Sequence, residues 1–231
     1  MVKAAATGVA FLMLSVLVFA AAVADADSPK TVMLRWAFVA ITGENGGEQV
    51  SPIVRDTALK TGDRFKILVE PEDGTFIYLI YRSSQNELHL LYPQRPGAYD
   101  EPRAPGGSFT LPPGGQWFQL DANPGEEIFS LIASDRRLTD LEALLVRYEA
   151  AAAGPEKNET ADRIDDEIRR LRWEHRGFKS TAERPATVMG QLRGVQKPPK
   201  IDPAALDIAD YAVDIESQGF YSRTFTIDHR R

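Results

Sequence analysis

The chain contains no cysteine. No disulfide can brace its fold, no thiolate can serve as nucleophile or metal ligand, and no cysteine is available for lipid attachment. Histidine is scarce as well: His89, His175 and His229 lie far apart, and no pair has metal-ligand spacing, so no metal centre is expected from them. Basic residues are the minority, 27 Lys and Arg against 33 Asp and Glu, for a formal net charge of -6. A mildly acidic chain is poorly suited to phosphate backbones or anionic lipid, which call for clustered Lys and Arg. The short catalytic signatures are missing too. There is no Gly-x-Ser-x-Gly, no phosphate-cradling glycine loop, no His-Glu-x-x-His and no Asp-x-Asp-x-Asp-Gly. Lys60-Thr61-Gly62 matches one penicillin-binding-protein motif, but no Ser-x-x-Lys accompanies it. It reads as a polar turn before a strand. No cofactor is expected.

What is present begins with an address. Residues 7–24 (TGVAFLMLSVLVFAAAVA) carry no charge, follow Lys3 and end in small residues. This is the pattern of a secretory signal, with cleavage expected after Ala24 or Ala26. The run is slightly short for a bilayer span and lacks a basic stop-transfer cluster, so a membrane tether is expected only if cleavage fails. About 205 residues then remain, near the size of one domain. Removing residues 1–24 takes away Lys3 and no acid, moving the formal charge to -7.

Residues 30–231 read as one β-rich domain. The stretch 31–42 is a first strand with Trp36 and Phe38 on one face. Phe65, Ile67 and Val69 alternate with Lys66, Leu68 and Glu70, the period of a half-buried strand. Residues 76–81 (FIYLIY) are apolar on both faces, as in a central strand covered twice. With 87–92 they form a hairpin around the turn 83–86. Residues 93–116 are rich in Pro and Gly and read as loop, with a short edge strand at 108–111. Strands at 117–121 and 128–134 flank the turn Asn123-Pro124-Gly125.

The period then changes. Leu138, Leu141, Leu144, Leu145 and Tyr148 recur at helical spacing, with Thr139 and Glu142 as a capping box and Gly154-Pro155 as a stop. A second helix is expected over about 159–176, with Ile164, Ile168 and Leu171 inward and the pairs Asp165–Arg169 and Asp166–Arg170 outward. The helical insertion therefore spans about 136–177. Residues 184–200 form a connector. A C-terminal hairpin follows, 211–216 and 220–229 about Ser217-Gln218-Gly219, with Phe225 and Ile227 inward. The expected fold is mainly β: an antiparallel β-sandwich-like domain with an inserted helical hairpin and a C-terminal β-hairpin.

From Leu59 to Ser134 an ordered set of features stands out. Gly62-Asp63-Arg64-Phe65, the 76–81 run, Leu90-Leu91-Tyr92-Pro93, Leu111-Pro112 and Pro124-Gly125-Glu126-Glu127 follow one another, and residues 221–227 close the chain. This set resembles the bacterial family of domain of unknown function 4384. The resemblance implies an exported or envelope-associated β domain, often an accessory to caspase-like peptidases or protein kinases, and it supplies no catalytic residues.

Chemistry-bearing candidates are few. Glu126 and Glu127 are neighbours on a strand, face opposite ways and cannot act as a facing carboxylate pair; turn-flanking acids are expected to be solvated. Asp162, Asp165, Asp166 and Glu167 read as a solvated helix start, and Asn158-Glu159-Thr160 as a helix N-terminus rather than a glycan acceptor. Tyr92, Tyr99, Phe109 and Trp117 flank the long loop and are the candidate binding surface, with the sheet core as the alternative home for Phe109 and Trp117. The expected function is an exported, non-enzymatic accessory module of the cell envelope that meets another envelope protein or a peptide, and not nucleic acid. The alternative is a periplasmic hydrolase working on cell-wall or peptide substrates through carboxylates.

Overall fold

Alternating apolar residues dominate the chain after residue 30, and they build strands. The structure, a computed structural model, describes residues 28–43, 47–100, 107–177, 180–184 and 201–231. The expected leader and most of the 184–200 connector lie outside the described residues. The strands are β1 (Thr31–Thr42), β2 (Gln49–Pro52), β3 (Thr57–Lys60), β4 (Arg64–Pro71), β5 (Phe76–Arg82), β6 (Leu88–Tyr92), β7 (Phe109–Leu111), β8 (Phe118–Gln119), β9 (Gly125–Ser134), β10 (Ser180–Arg184), β11 (Val213–Gln218) and β12 (Phe220–Arg230). Two helices, α1 (Thr139–Ala150) and α2 (Pro155–Glu174), stand between β9 and β10.

The strands form two sheets. One runs β10-β11-β1-β4-β7, with β2 also paired to β1 and β8 to β4; the other runs β3-β12-β9-β5-β6. The fold is mainly β and sandwich-like, as the alternation implied. One pairing departs from the antiparallel expectation: β3 lies parallel to β12, Leu59 opposite His229.

Between the sheets lies a core of aromatic and aliphatic side chains. Phe38 meets Phe65, Phe129 and Phe225 edge-on at centroid distances of 5.6, 5.2 and 5.2 Å. Trp36 adds a T-shaped contact with Phe225 at 4.8 Å, and its indole N–H donates to the Tyr221 hydroxyl at 3.2 Å. Each such aromatic pair contributes about 0.5–1.5 kcal/mol beyond its buried area.

The second sheet is covered on its outer side by the helical hairpin. Tyr78 and Ile80 of β5, with Ile132 and Phe220, pack against Leu141, Leu145, Ile164, Ile168 and Leu171. Ile77 and Leu79 of the same strand face the intersheet core. β5 is thus apolar on both faces because both faces are covered. Polar contacts tie the hairpin down. The Tyr78 hydroxyl donates to Glu142 at 2.5 Å and accepts from the Leu138 N–H at 3.0 Å. Arg172 donates to the Ser222 and Thr224 hydroxyls at 2.9 and 2.6 Å.

Several local expectations change. The capping box does not form: Leu138 is the N-cap of α1 and no side chain caps it. Glu142 is instead buried, shared between Tyr78 and Arg137, because it lies on the sheet-facing side of the helix. Pro155 starts α2 rather than merely ending α1; its missing N–H costs nothing at the first helical position. The helix therefore begins before Asn158, and Thr160 donates back to the Glu156 carbonyl at 2.8 Å. Asp165 pairs with Arg82 on β5 at 2.7 Å, and Arg169 and Arg170 reach Asp166 and Glu167 three residues away.

The C-terminal strands also differ from a hairpin. β11 pairs with β1 in one sheet, whereas β12 pairs with β9 in the other. The turn carries the chain across the sandwich. Gly219 makes the crossing at φ +69°, and a Cβ there would lie 2.9 Å from the Pro29 Cβ. Both strands can then point their apolar residues inward from opposite sides, which a flat hairpin in one sheet would not allow.

Candidate functional site

The four loop-flanking aromatics do not come together on one surface. Tyr92 and Phe109 stack face to face at 3.8 Å and join the rims of the two sheets. Tyr99 is buried on the helical side against Phe76 and Tyr78. Its hydroxyl accepts from the Ile77 N–H at 2.9 Å and donates to the Ile77 carbonyl at 2.6 Å, filling the ladder position where β5 outruns β6. Trp117 lies on the far face of the first sheet, its indole N–H on the Pro203 carbonyl at 3.0 Å.

A cleft of about 580 Å³ opens instead between the two sheets. Phe65 and Phe118 come from the first sheet, Tyr81, His89 and Phe129 from the second, and the β5–β6 turn forms its lip. Its floor is polar. Glu127 is buried, with the Tyr81 hydroxyl donating to Oε2 in a short hydrogen bond and the Ser84 N–H donating to the same oxygen at 3.3 Å. Glu126, its neighbour, is exposed. The pair does face opposite ways, but only Glu126 is solvated. Glu127 shares its strand face with Phe129 and Leu131, and that face is the core.

Behind Glu127 stands His229, 2% exposed. Its Nε2 lies 3.0 Å from the Thr61 hydroxyl, and its Nδ1 lies 4.0 Å from Glu127 Oε1 with no hydrogen-bond partner among the described residues. The order carboxylate, imidazole, hydroxyl is that of a hydrolytic triad. The geometry is not: 4.0 Å exceeds a hydrogen bond, and the side chain of His229 is fully enclosed, so no substrate atom can reach it to receive a proton. His89 is exposed and stacks on Tyr81 at 5.7 Å, and His175 ends α2 with Nδ1 2.8 Å from the Leu171 carbonyl. The three imidazoles are not brought together. Among the described residues, no group of three or more His, Asp or Glu is placed to hold a metal ion.

Burial governs the electrostatics of the cleft. Removal from water and then the hydrogen bond to Glu127 raise the Tyr81 phenol above its ordinary value, so it stays a donor. Asp121, on the rim, is held below the usual carboxylate range by the backbone and side-chain amides of Asn123, both at 2.8 Å. The lip depends on Gly125. At φ +150° a Cβ there would come within 2.7 Å of the Ser84 Cβ and push the Ser84 N–H off Glu127.

The part of the chain that supplies the cleft is largely β3 to β9. Residues 58–137 match the model of the family described as Domain of unknown function (DUF4384). Over this segment, about a third of the chain, the protein is similar to that family. No curated protein and no solved structure matches the chain. The matched segment supplies every residue named on the cleft wall, while His229 behind it comes from β12, outside the segment.

Proposed function

We propose that this chain is an exported, non-enzymatic accessory module that binds another envelope protein or a peptide, with the cleft beside the β5–β6 turn as its recognition site. The observation that carries this reading is the cleft: a shaped recess with aromatic walls, polar groups at fixed positions and an open lip, on the matched segment. Its buried carboxylate is occupied by Tyr81 and Ser84, an arrangement that holds shape rather than moves protons. Export is supported by the leader pattern at residues 7–24. Among the described residues, no helix is long and apolar enough to cross a membrane.

Two measurements test it. N-terminal sequencing of the protein from the periplasmic or secreted fraction is expected to begin at Asp25 or Asp27; an intact Met1 in the cytosol removes the export part. Affinity capture from the envelope fraction is expected to recover a partner that Gln85→Trp, which fills the lip, no longer holds. Capture unaffected by Gln85→Trp moves the binding site elsewhere. The hydrolase reading has buried Glu127 in its favour; turnover of cell-wall fragments or peptides that Glu127→Gln abolishes would install it in place of the module.

A further inference from the structure

β6 is the last strand of its sheet, hydrogen-bonded to β5 on one side and to no described strand on the other. Its ladder parity can be read from the turn. The Ser83 N–H donates to the Glu87 carbonyl at 2.8 Å, so the next hydrogen-bonded pair, two residues on, is Tyr81 with His89. The backbone groups of Leu88 and Leu90 therefore point away from β5. Leu88 N–H is taken by the Tyr148 hydroxyl at 3.0 Å. Those of Leu90 take no hydrogen bond from the described residues and form an open rung.

A second cleft, of about 520 Å³, lies on the helical side of the same strand. Gln85, Glu87, His89 and Leu90 line both clefts, which meet across the strand. A chain laid along an edge strand sends successive side chains to opposite faces, here one into each cleft. The two differ in charge. The helical-side cleft sets Lys157 against Glu87 and Glu149, so a cation there meets a resident lysine. Among the described residues, the intersheet cleft is lined by Glu87, Asp121 and Glu127, by no Lys or Arg, and by the rings of Tyr81, Phe118 and Phe129. Carboxylates over aromatic faces suit a desolvated ammonium or guanidinium group.

We propose that β6 is a docking edge for an extended peptide of a partner protein, which adds as a further strand and places a lysine or arginine side chain in the aromatic, acidic cleft between the sheets. This rests on the interaction-module reading and names its site and its ligand chemistry. Backbone pairing at Leu90 supplies register, and the alternate clefts supply selectivity.

The test pans the full processed chain against a display library of random octapeptides. Enriched sequences are expected to share one Lys or Arg position. Changing that residue to Glu in the synthetic peptide is expected to weaken binding roughly tenfold or more, and the Glu87→Lys, Asp121→Lys double variant is expected to reverse the preference. Leu90→Pro is expected to abolish binding with the thermal melt retained. Should that variant fail to fold, N-methylation of the peptide replaces it: blocking the amides in one alternate register abolishes binding, and blocking those in the other leaves it. Enrichment without a basic residue, or binding indifferent to N-methylation in both registers, overturns the proposal. Peptides that bind but ignore every change at β6 leave the interaction module standing with another surface. A chain that sediments as a dimer, and as a monomer after Leu90→Pro, shows a second copy on the edge and also overturns it.

Discussion

Replacing Tyr81 with Phe removes one oxygen from the floor of the cleft and leaves its rings in place. The phenyl ring can keep its stack on Phe129 at 4.8 Å and on His89 at 5.7 Å, so packing is nearly conserved. What is lost is the short hydrogen bond to Glu127. A hydrogen bond to a charged group contributes about 1.5–3 kcal/mol, and leaving the buried partner short of a donor accounts for most of it. Tyr81 is only partly buried, which favours the lower half, about 2 kcal/mol. For a chain of this length that corresponds to a fall in Tm of roughly 4–8 °C.

The hydrogen bond can be separated from everything else by a double-mutant cycle in urea with Glu127→Leu as the second change. In that background Tyr81→Phe has no carboxylate to abandon and is expected to cost below about 0.5 kcal/mol, giving a coupling near 1.5 kcal/mol. The midpoint should move and the slope should not. An equal cost in both backgrounds, or a cost below about 0.5 kcal/mol in the native one, would mean that Glu127 is not held by Tyr81, and the description of the cleft floor would fall with it.

Tyr78→Phe removes one of the hairpin's polar links to β5, stranding the Leu138 N–H and taking a donor from Glu142; a loss of about 3 kcal/mol is expected in urea melts, and a loss under 1 kcal/mol would contradict the docking described. Gly219→Ala forces a side chain into a left-handed conformation against Pro29 and is expected to cost about 2 kcal/mol, read as a lowered Tm; an unchanged Tm would mean the crossing tolerates a side chain. Burial raises the phenols of Tyr78, Tyr81 and Tyr99 above 10.0 in the fold. Their stabilising contribution is fully present below the unfolded value and is lost as pH rises past it. Stability should therefore fall by up to about 4 kcal/mol between pH 10 and 11, opposed in part by Lys66, which burial shifts the other way. Tyrosinate absorbance at 295 nm should rise with the loss of circular dichroism, and three phenols titrating near pH 10 in folded protein would refute it.

How legible all this is from residues alone depends on whether a period runs unbroken. The two-faced apolar run of β5 announces its double cover, and the helical stripe Ile164, Ile168 and Leu171 announces its own burial. Glu127 and His229 were equally within reach, since Glu127 keeps step with Phe129 and Leu131, and His229 with Phe225 and Ile227. Reading the acids by their chemistry rather than their phase puts them in water. The capping box failed for the same reason: Glu142 lies one turn from Leu138 and Leu145 on the sheet-facing side, and burial outweighs a local cap. Sheet membership was not legible. Gly219 marks a turn, but nothing near it says whether the next strand returns to its neighbour or crosses to the opposite sheet, because that is decided by the partners β1 and β9, more than 80 residues away in sequence.

That crossing also leaves the segment similar to DUF4384 without a continuous sheet of its own. Its strands β3 and β9 do not touch; β12 lies between them. Its strand β4 reaches β11 only through β1. The cleft walls belong to the segment, but the imidazole behind Glu127 arrives on β12, outside it. In this chain β12 fills the slot between β3 and β9, and His229 on that strand stands directly behind the cleft floor.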